Sequence, residues 1–141
     1  MNLSAAGLAL IKRFEGLRTR AYLCPAGVWT IGYGSTGPHV AEGLVISEAQ
    51  AEVLLRSDLV RFEEAVRCHA LPARQGQYDA LVSFAFNVGI AAFARSTLLH
   101  CHRSGDFAGA ARQFARWDKS RGRALPGLAR RRAAERTLYS S

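Results

Sequence analysis

Three side chains that could take part in acid–base or nucleophilic chemistry, Glu15, Cys24 and Thr30, lie within sixteen residues of one another. They belong to the stretch FEGLRTRAYLCPAGVWTIGYG. A carboxylic acid can donate a proton, and a thiolate can serve as a base or as a nucleophile. The segment therefore combines an acid, a soft nucleophile or base and a hydroxyl. The helices and strands that carry these side chains determine whether they lie close together.

Glu15 is predicted to lie on the inner face of the first helix. Ser4 can cap the start of that helix, and Gly16 can end it. Leu8, Ile11 and Glu15 recur at intervals of three and four, so they share one face. Partial burial and the negative end of the helix dipole both disfavour a charged carboxylate there. The alternative is a solvated carboxylate that pairs with a nearby arginine.

A β-hairpin is predicted after this helix. Residues 28–33 alternate in the period-two pattern of a half-buried strand, and residues 25–27 form the turn. A turn centred near residue 26 places Tyr22 opposite Thr30, with Cys24 on the same face as both. Each residue also has a simpler interpretation, because a Cys before a turn is often a small buried side chain and Thr favours strands.

The wider sequence resembles a known family. The motifs FEG, GVWTIGYGST, FNVG and LPGLARRRAAE occur in the order found in the phage-type lysozymes of glycoside hydrolase family 24, the endolysins of tailed phages. The resemblance extends over essentially the whole chain. It implies that Glu15 is the general acid, Cys24 the second catalytic residue and Thr30 the holder of the attacking water. Most members of the family have Asp at the second position, so this chain has the less common Cys form.

Four further residues are candidates for binding the substrate or supporting the site. Tyr22 could stack on a sugar, and Gly32 could allow close backbone approach, although turn geometry also explains a glycine there. By resemblance, Asn87 of FNVG lies at the cleft; its alternative role is to cap the preceding helix. Arg131 matches the first arginine of the family's GLxxRR pattern, where a cation can orient the catalytic carboxylate.

Cleavage of a glycosidic bond requires an acid at the leaving oxygen and a negative group or base near the developing oxocarbenium centre. Glu15 fits the first task. Cys24 could activate water, stabilise the cation or attack the anomeric carbon, and its thiolate would need cationic help from Arg18, Arg20 or the later arginine cluster. The resemblance favours water attack with inversion at the β-1,4 bond between N-acetylmuramic acid and N-acetylglucosamine. The enzymatic alternative is a lytic transglycosylase, which yields an anhydro product.

The composition fits one enzyme domain. A chain of 141 residues with 49% hydrophobic content can form one core. We expect a mostly helical α+β fold, and the resemblance implies a lysozyme-like two-lobed domain. Its expected parts are a hairpin lobe at about 16–46, a connecting helix at about 47–68 and a helical lobe at about 69–141. The substrate is expected between the lobes.

The helices are predicted from caps and periodicity. Ser47 and Gln50 form a capping box for the long connecting helix. Its inner face carries hydrophobic residues at helical spacing, namely Leu55, Leu59, Phe62 and Val66. A further helix is predicted to open at Pro72, with an inner face of Tyr78, Leu81, Val82 and Ala85.

Three more helices are predicted towards the end of the chain. Ser96 and Gly105 bracket the first. Asp106 caps the second, which carries a stripe of large and small hydrophobic residues and runs to Gly122. Pro126 starts the last helix, with Leu128 and Leu138 as its anchors.

The chain is strongly basic, with a net charge of +8 and an isoelectric point near 10.3. Such a charge indicates an anionic partner. The span from Lys119 to Arg136 carries seven positive side chains and one Glu, so the C-terminal helix could contact an anionic outer membrane. The alternative from another class is a non-catalytic basic module that binds membranes or nucleic acid.

The three cysteines, Cys24, Cys68 and Cys101, are an odd number without close pairing, which favours free thiols in a reducing compartment. Pairing of Cys68 with Cys101 after lysis remains open. The adjacent residues His100, Cys101 and His102 would point in different directions on a helix. We therefore expect no metal site and no cofactor.

The N-terminal apolar run is short and is interrupted by Lys12 and Arg13, so neither a signal peptide nor a transmembrane segment is predicted. For an endolysin, this implies accumulation in the host cytoplasm and access to the periplasm and cell wall once a holin opens the membrane. Bacterial peptidoglycan is the expected partner. We expect a monomer without a stable holin complex.

Overall fold

The computed structural model describes residues 1–141 and contains seven α-helices and four short strands. The helices are α1 (Ala5–Glu15), α2 (Glu48–Ala70), α3 (Gln75–Val88), α4 (Ile90–Arg95), α5 (Thr97–Arg103), α6 (Phe107–Gln113) and α7 (Pro126–Tyr139). The strands are β1 (Arg18–Leu23), β2 (Trp29–Gly32), β3 (Lys119–Ser120) and β4 (Arg123–Ala124). The fold class is α+β and mostly helical, as predicted.

The chain forms two compact units. The hairpin unit comprises Ile11–Val60, and the helical unit comprises Met1–Leu10 with Arg61–Ser141. Helix α1 therefore ends in the hairpin unit, and α2 begins there. The division of one catalytic domain into a hairpin lobe, a connecting helix and a helical lobe at the predicted boundaries stays a prediction.

The predicted hairpin and its register are confirmed. Strands β1 and β2 pair antiparallel with Tyr22 opposite Thr30, and the register shifts between Arg18 and Tyr22. Helix α1 ends as predicted at Gly16, whose φ of 75° lies in the left-handed region that favours glycine and whose backbone amide donates to the Lys12 carbonyl. The helix end and the hairpin thus follow each other directly.

The hairpin packs against the start of α2. Gly32 also has a positive φ of 68°, and a Cβ at this position would lie 3.3 Å from the Cβ of Ala51. The predicted capping box of α2 is present: the Gln50 amide donates to Ser47 Oγ at 3.1 Å, and the Ser47 amide donates to Gln50 Oε1 at 2.8 Å. The positive φ at Gly32 and its close approach to Ala51 explain why glycine occurs at this position.

The helical unit has the predicted buried faces, but α3 begins later than expected. Leu81 and Val82 are fully buried. The predicted start at Pro72 is wrong because the helix begins at Gln75, where the Gln77 side chain accepts the Arg74 amide at 2.8 Å. Glutamine at this spacing satisfies an amide that the helix itself cannot pair.

The single helix predicted from Asp106 to Gly122 is also corrected. Asp106 does cap α6, because its carboxylate accepts the Gly109 amide at 2.9 Å. The helix ends at Gln113 and tightens into one 3₁₀ turn, and the chain then forms the small β3–β4 hairpin. Arg121 and Gly122 both have positive φ, the geometry of a two-residue hairpin turn. The other predicted helix signals, at Ser96, Gly105 and Pro126, are confirmed.

Helices α3 and α7 approach each other closely at Gly76. A Cβ there would lie 2.3 Å from the Leu138 carbonyl oxygen, a backbone atom that cannot move aside alone. We predict that Gly76→Ala lowers the free energy of unfolding by about 1–3 kcal/mol, as overpacking does. Urea denaturation followed by circular dichroism measures it.

Gly127 provides a matched control, because it is likewise the second residue of its helix. A Cβ there would meet only the mobile end of Arg130 at 3.8 Å. Gly127→Ala should therefore leave stability unchanged or raise it by up to about 1 kcal/mol. Equal effects of the two substitutions would contradict the close α3–α7 contact.

Candidate active site

Glu15 is the last residue of α1, and its side chain is half-buried in the hairpin unit. Leu8 and Ile11, which share its predicted face, are buried. A Cβ at Gly34, where φ is 94°, would lie 3.7 Å from Glu15 Oε1. The carboxylate therefore lies close to the backbone that follows β2, and the positive φ at position 34 favours glycine there.

The thiol of Cys24 lies in the hairpin turn and interacts with backbone amides. Hydrogen bonds from the amides of Val28 and Ala26 lower the pKa of the Cys24 thiol below its ordinary value, and the Thr30 hydroxyl adds to the effect. The side chain is half-buried, and desolvation opposes the shift by more than the Thr30 hydroxyl contributes to it. Successive amides that point at one atom are a general means of holding an anion.

Thr30 is buried in β2 with its hydroxyl beside the same turn. Its Oγ1 donates to the Val28 carbonyl at 2.9 Å. A hydroxyl has one proton, so it can serve either this carbonyl or the Cys24 sulfur at a given moment. When Cys24 is a thiolate, the charged sulfur is the stronger acceptor, and the donation to it accounts for the part of Thr30 in lowering the thiol pKa.

The expectation that arginines stabilise the Cys24 thiolate is wrong. The groups that lower its pKa are turn amides and the Thr30 hydroxyl. Arg18 instead places its guanidinium over the Tyr22 ring, 4.8 Å from the ring centroid. The reason is local geometry, since a tight turn directs its own amides at the residue that precedes it.

The other two site candidates, Asn87 and Arg131, belong to the helical unit. Asn87 is an exposed residue within α3 and does not cap the helix, because the cap is Gly89. Its Oδ1 accepts a hydrogen bond from Arg132 Nη2 at 2.8 Å. Because a guanidinium can only donate, this contact fixes the amide with its NH₂ group turned away from Arg132.

Arg131 and Arg132 are both buried, and both contact the fully buried carboxylate of Glu135. Arg132 Nε lies 2.8 Å from Glu135 Oε1, and Arg131 Nε lies 3.4 Å from Oε2. Ser83 of α3 donates its hydroxyl to Oε2 at 2.5 Å. Burial raises the pKa of Glu135, whereas Arg132, the Ser83 hydroxyl and Arg131 lower it.

The anchors predicted for α7 are therefore corrected. Leu128 and Leu138 are only half-buried, whereas the buried residues of α7 are Arg131, Arg132, Glu135 and Tyr139. The helix carries few large apolar residues, so its buried face is made of a charge cluster and one aromatic ring. Two of the seven cations counted in the basic C-terminal span are thus unavailable to an external partner.

His102 is likewise a packing residue. Its Nδ1 lies 2.6 Å from the Tyr139 hydroxyl and its Nε2 lies 2.7 Å from the Ala70 carbonyl, so both ring nitrogens are used. All three cysteines are free thiols. No group of three or more His, Cys, Asp or Glu side chains is arranged to hold a metal ion. The structure contains no helix with the length and apolar character needed to cross a bilayer.

The fold and the similarity to known proteins define a glycosidase of the lysozyme class. The structure superposes on a crystal structure of a P22 lysozyme variant with a TM-score of 0.93 and 38% identity, covering 100% of this chain and 99% of that one. The chain is 44% identical to the endolysin of Acyrthosiphon pisum secondary endosymbiont phage 1, covering 100% of this chain and 99% of that protein.

The sequence model of the phage lysozyme family matches residues 12–135. The chain therefore belongs to the phage lysozyme family. It is also 49% identical to the endolysin of Bacillus phage B103 over 99% of its own length, which is 54% of that longer protein. These findings support a muramidase of the endolysin type and do not favour the non-catalytic basic module.

Glu135, Ser83 and the turn amides around Cys24 are functional groups that the sequence motifs do not predict. Glu135 was counted only as the single negative group among arginines. Its spacing of three and four residues from Arg132 and Arg131 places all three on one helix face, a signal that could have indicated the cluster. The serine within the apolar run of α3 was the second signal.

We predict that Cys24 reacts as a thiolate at lower pH than an unperturbed thiol. Its alkylation by iodoacetamide, followed at this site by peptide mass spectrometry, should reach half its maximal rate at lower pH than that of N-acetylcysteine. Thr30→Ala should move this midpoint to higher pH, and Thr30→Ser, which keeps the hydroxyl, should move it less. A midpoint unchanged by Thr30→Ala would contradict the assigned interaction.

We further predict that Glu135→Gln lowers the free energy of unfolding by about 3–5 kcal/mol, because it leaves two buried guanidiniums without their counter-charge. Thermal and urea denaturation would measure the loss. Glu64→Gln on α2 is the matched control, since Glu64 is exposed and should change stability by less than about 0.5 kcal/mol. If Glu135→Gln lowered the free energy of unfolding as little as the control does, the cluster of Arg131, Arg132 and Glu135 would contribute little to stability.

Proposed function

We propose that this endolysin hydrolyses the β-1,4 bond between N-acetylmuramic acid and N-acetylglucosamine in bacterial peptidoglycan by direct attack of water. Glu15 acts as general acid, Cys24 as base or electrostatic stabiliser, and Thr30 positions the water. The observation that carries the proposal is the arrangement of the Cys24 sulfur, held by turn amides beside the Thr30 hydroxyl, on the hairpin that directly follows Glu15.

The proposed reaction replaces one C–O bond at the anomeric carbon with another in a single displacement, accompanied by two proton transfers. Glu15 transfers its proton to the glycosidic oxygen as the bond from that oxygen to the anomeric carbon breaks. The water oxygen bonds to the anomeric carbon from the opposite face, and its proton passes to the Cys24 thiolate. Exchange of protons with solvent restores both groups. A thiolate held in place before substrate binds requires no reorganisation during this step.

Supporting roles are proposed for four residues. Tyr22 lies opposite Thr30 on the hairpin, so it can contact a sugar bound at that face. Gly32 keeps the backbone after Thr30 in its turn and close to Ala51. Asn87 presents the NH₂ group that Arg132 turns outward, a suitable donor for the carbonyl of an N-acetyl group on the sugar. Arg131 is proposed to support the site from within the helical unit, where it pairs with the buried Glu135 carboxylate.

Glu15→Gln is predicted to reduce clearing of permeabilised Gram-negative cells by at least about 100-fold, because glutamine has no proton to give to the leaving oxygen. Turbidity measures the rate, and circular dichroism checks that the fold is kept. Glu42→Gln, at an exposed position of the same unit, should clear cells like the parent. Equal clearing by the Glu15 variant would indicate membrane disruption in place of hydrolysis.

Cys24→Asp is predicted to keep much of the activity, whereas Cys24→Ser should lose about 10- to 100-fold because a serine hydroxyl does not ionise near neutral pH. Parent activity should fall as the pH drops through the lowered pKa of the Cys24 thiol. With aspartate, whose ordinary pKa is far lower, that acidic limb should move to lower pH. A fully active Cys24→Ser enzyme would show that the thiol has no role in the reaction.

We also propose how the enzyme reaches its substrate. It accumulates in the host cytoplasm, reaches the periplasm and wall after a holin opens the inner membrane, and acts as a monomer without a stable holin complex. Similarity to endolysins supports this route. Exposed cations of the C-terminal span, Lys119, Arg121, Arg123, Arg130 and Arg136, could hold it at an anionic outer-membrane surface. Fractionation of host cells before and after lysis, with sedimentation velocity, tests these points.

A further inference from the structure

A polar cavity of about 510 Å³ lies in the helical unit, apart from every residue assigned to catalysis. It is lined by the end of α4 and one face of α5, including Arg95, His100 and Arg103. Arg95 is the last residue of α4 and Arg103 is the last residue of α5, and the extended residue Ser96 separates the two helices. Both guanidinium side chains line the same opening.

The cations at this cavity are not neutralised by the protein. No Asp or Glu occurs between Gly89 and Gly105. Asp106, the nearest acid in the sequence, caps α6 through the Gly109 amide. The side chains of Arg95, His100 and Arg103 are exposed and form no ion pair or hydrogen bond within the chain.

The remaining polar groups of the lining are already used. Ser96 Oγ donates to the Phe93 carbonyl at 2.7 Å and accepts the Leu99 amide at 3.0 Å. Ser104 Oγ donates to the Cys101 carbonyl at 3.0 Å. The groups left for a ligand are two guanidiniums, which can only donate, and an imidazole, which can donate from a ring nitrogen. Such a lining suits an anion with several oxygen acceptors.

We propose that this cavity binds the phosphate group of a phosphate ester from the cell envelope. A phosphate offers three or more oxygens, and guanidiniums bind them in a bidentate manner. A volume near 500 Å³ also holds the alcohol part of a small ester such as glycerol phosphate. The site is independent of the catalytic mechanism, so its failure and that of the proposed function are distinguishable.

The first test is titration of the full chain with glycerol phosphate, followed through the amide NMR signals of Leu99 and His100. The parent should show saturable shifts, and Arg103→Gln should raise Kd by at least about tenfold. Arg112→Gln, an exposed charge on α6 outside the cavity, should stay within about twofold of the parent. Absent or non-saturable shifts in the parent, or equal losses in both variants, would overturn the proposal.

Arg103 also lies in the last turn of α5, where a cation stabilises a helix in the absence of any ligand. Arg103→Lys separates the two roles because it keeps the charge but not the bidentate geometry. This variant should have the same melting temperature as the parent, and its Kd for glycerol phosphate should nevertheless be higher. Binding equal to that of the parent would overturn the assignment of Arg103.

Vesicle flotation identifies the source of the phosphate. Vesicles containing phosphatidylglycerol are compared with vesicles of phosphatidylcholine, for the parent, Arg103→Gln and Arg112→Gln. Binding that falls only in Arg103→Gln supports the site and assigns it to a lipid headgroup. If only glycerol phosphate binding depends on Arg103, the site is supported and its ligand is a free or polymer-borne phosphate.

Discussion

The helical unit depends on the burial of one carboxylate, that of Glu135, between two guanidiniums and a serine hydroxyl. Apolar side chains could stabilise the α3–α7 contact equally well, since buried ion pairs often contribute little net free energy. The advantage of the charged cluster is that its contacts with α3 are specific for one register of the two helices. A slip of α7 by one residue would break hydrogen bonds that join it to α3, from Ser83 to Glu135 and from Arg132 to Asn87, although the ion pairs within α7 would remain. The cluster therefore sets where Arg131 lies and how Asn87 is turned.

The hairpin unit poses a different electrostatic question, which is how the pKa of a thiol is lowered by groups other than a charged side chain. The turn after Cys24 supplies amide donors, and Thr30 adds a hydroxyl. This arrangement explains how Cys can occupy a position where most members of the family have Asp. An aspartate is ionised at neutral pH without assistance, whereas an ordinary thiol is mostly protonated, and the turn amides shift the pKa of Cys24 towards the thiolate.

Several features were predictable from sequence because they depend on local rules. Gly16 ends α1, and Tyr22 pairs with Thr30, as helix periodicity and strand alternation predict. The failures came where a single local side-chain contact or backbone torsion decides the position of an element. The start of α3 depends on the Gln77 side chain, and the β3–β4 hairpin depends on positive φ at Arg121, a conformation that composition does not reveal.

The site was predictable to a different extent in each unit. Motif order and the family resemblance pointed to Glu15, Cys24 and Thr30, and local alternation placed Cys24 and Thr30 on one hairpin face. The role of Asn87 was not predictable, because its partner Arg132 is far away in the sequence and reads there as part of a basic, solvated run. In the structure, two arginines of that run are buried and hold α7 against α3, and a count of charges does not indicate which residues are buried.

The central claim is that water attacks the anomeric carbon directly while Cys24 remains free of the sugar. The most direct test is the anomeric configuration of the new reducing end, followed by proton NMR during the first turnovers on soluble peptidoglycan fragments. Direct attack predicts the α-anomer first, with the β-anomer arising later by mutarotation. Initial formation of the β-anomer or of an anhydro sugar, or a glycosyl adduct on Cys24 by mass spectrometry, would contradict the account.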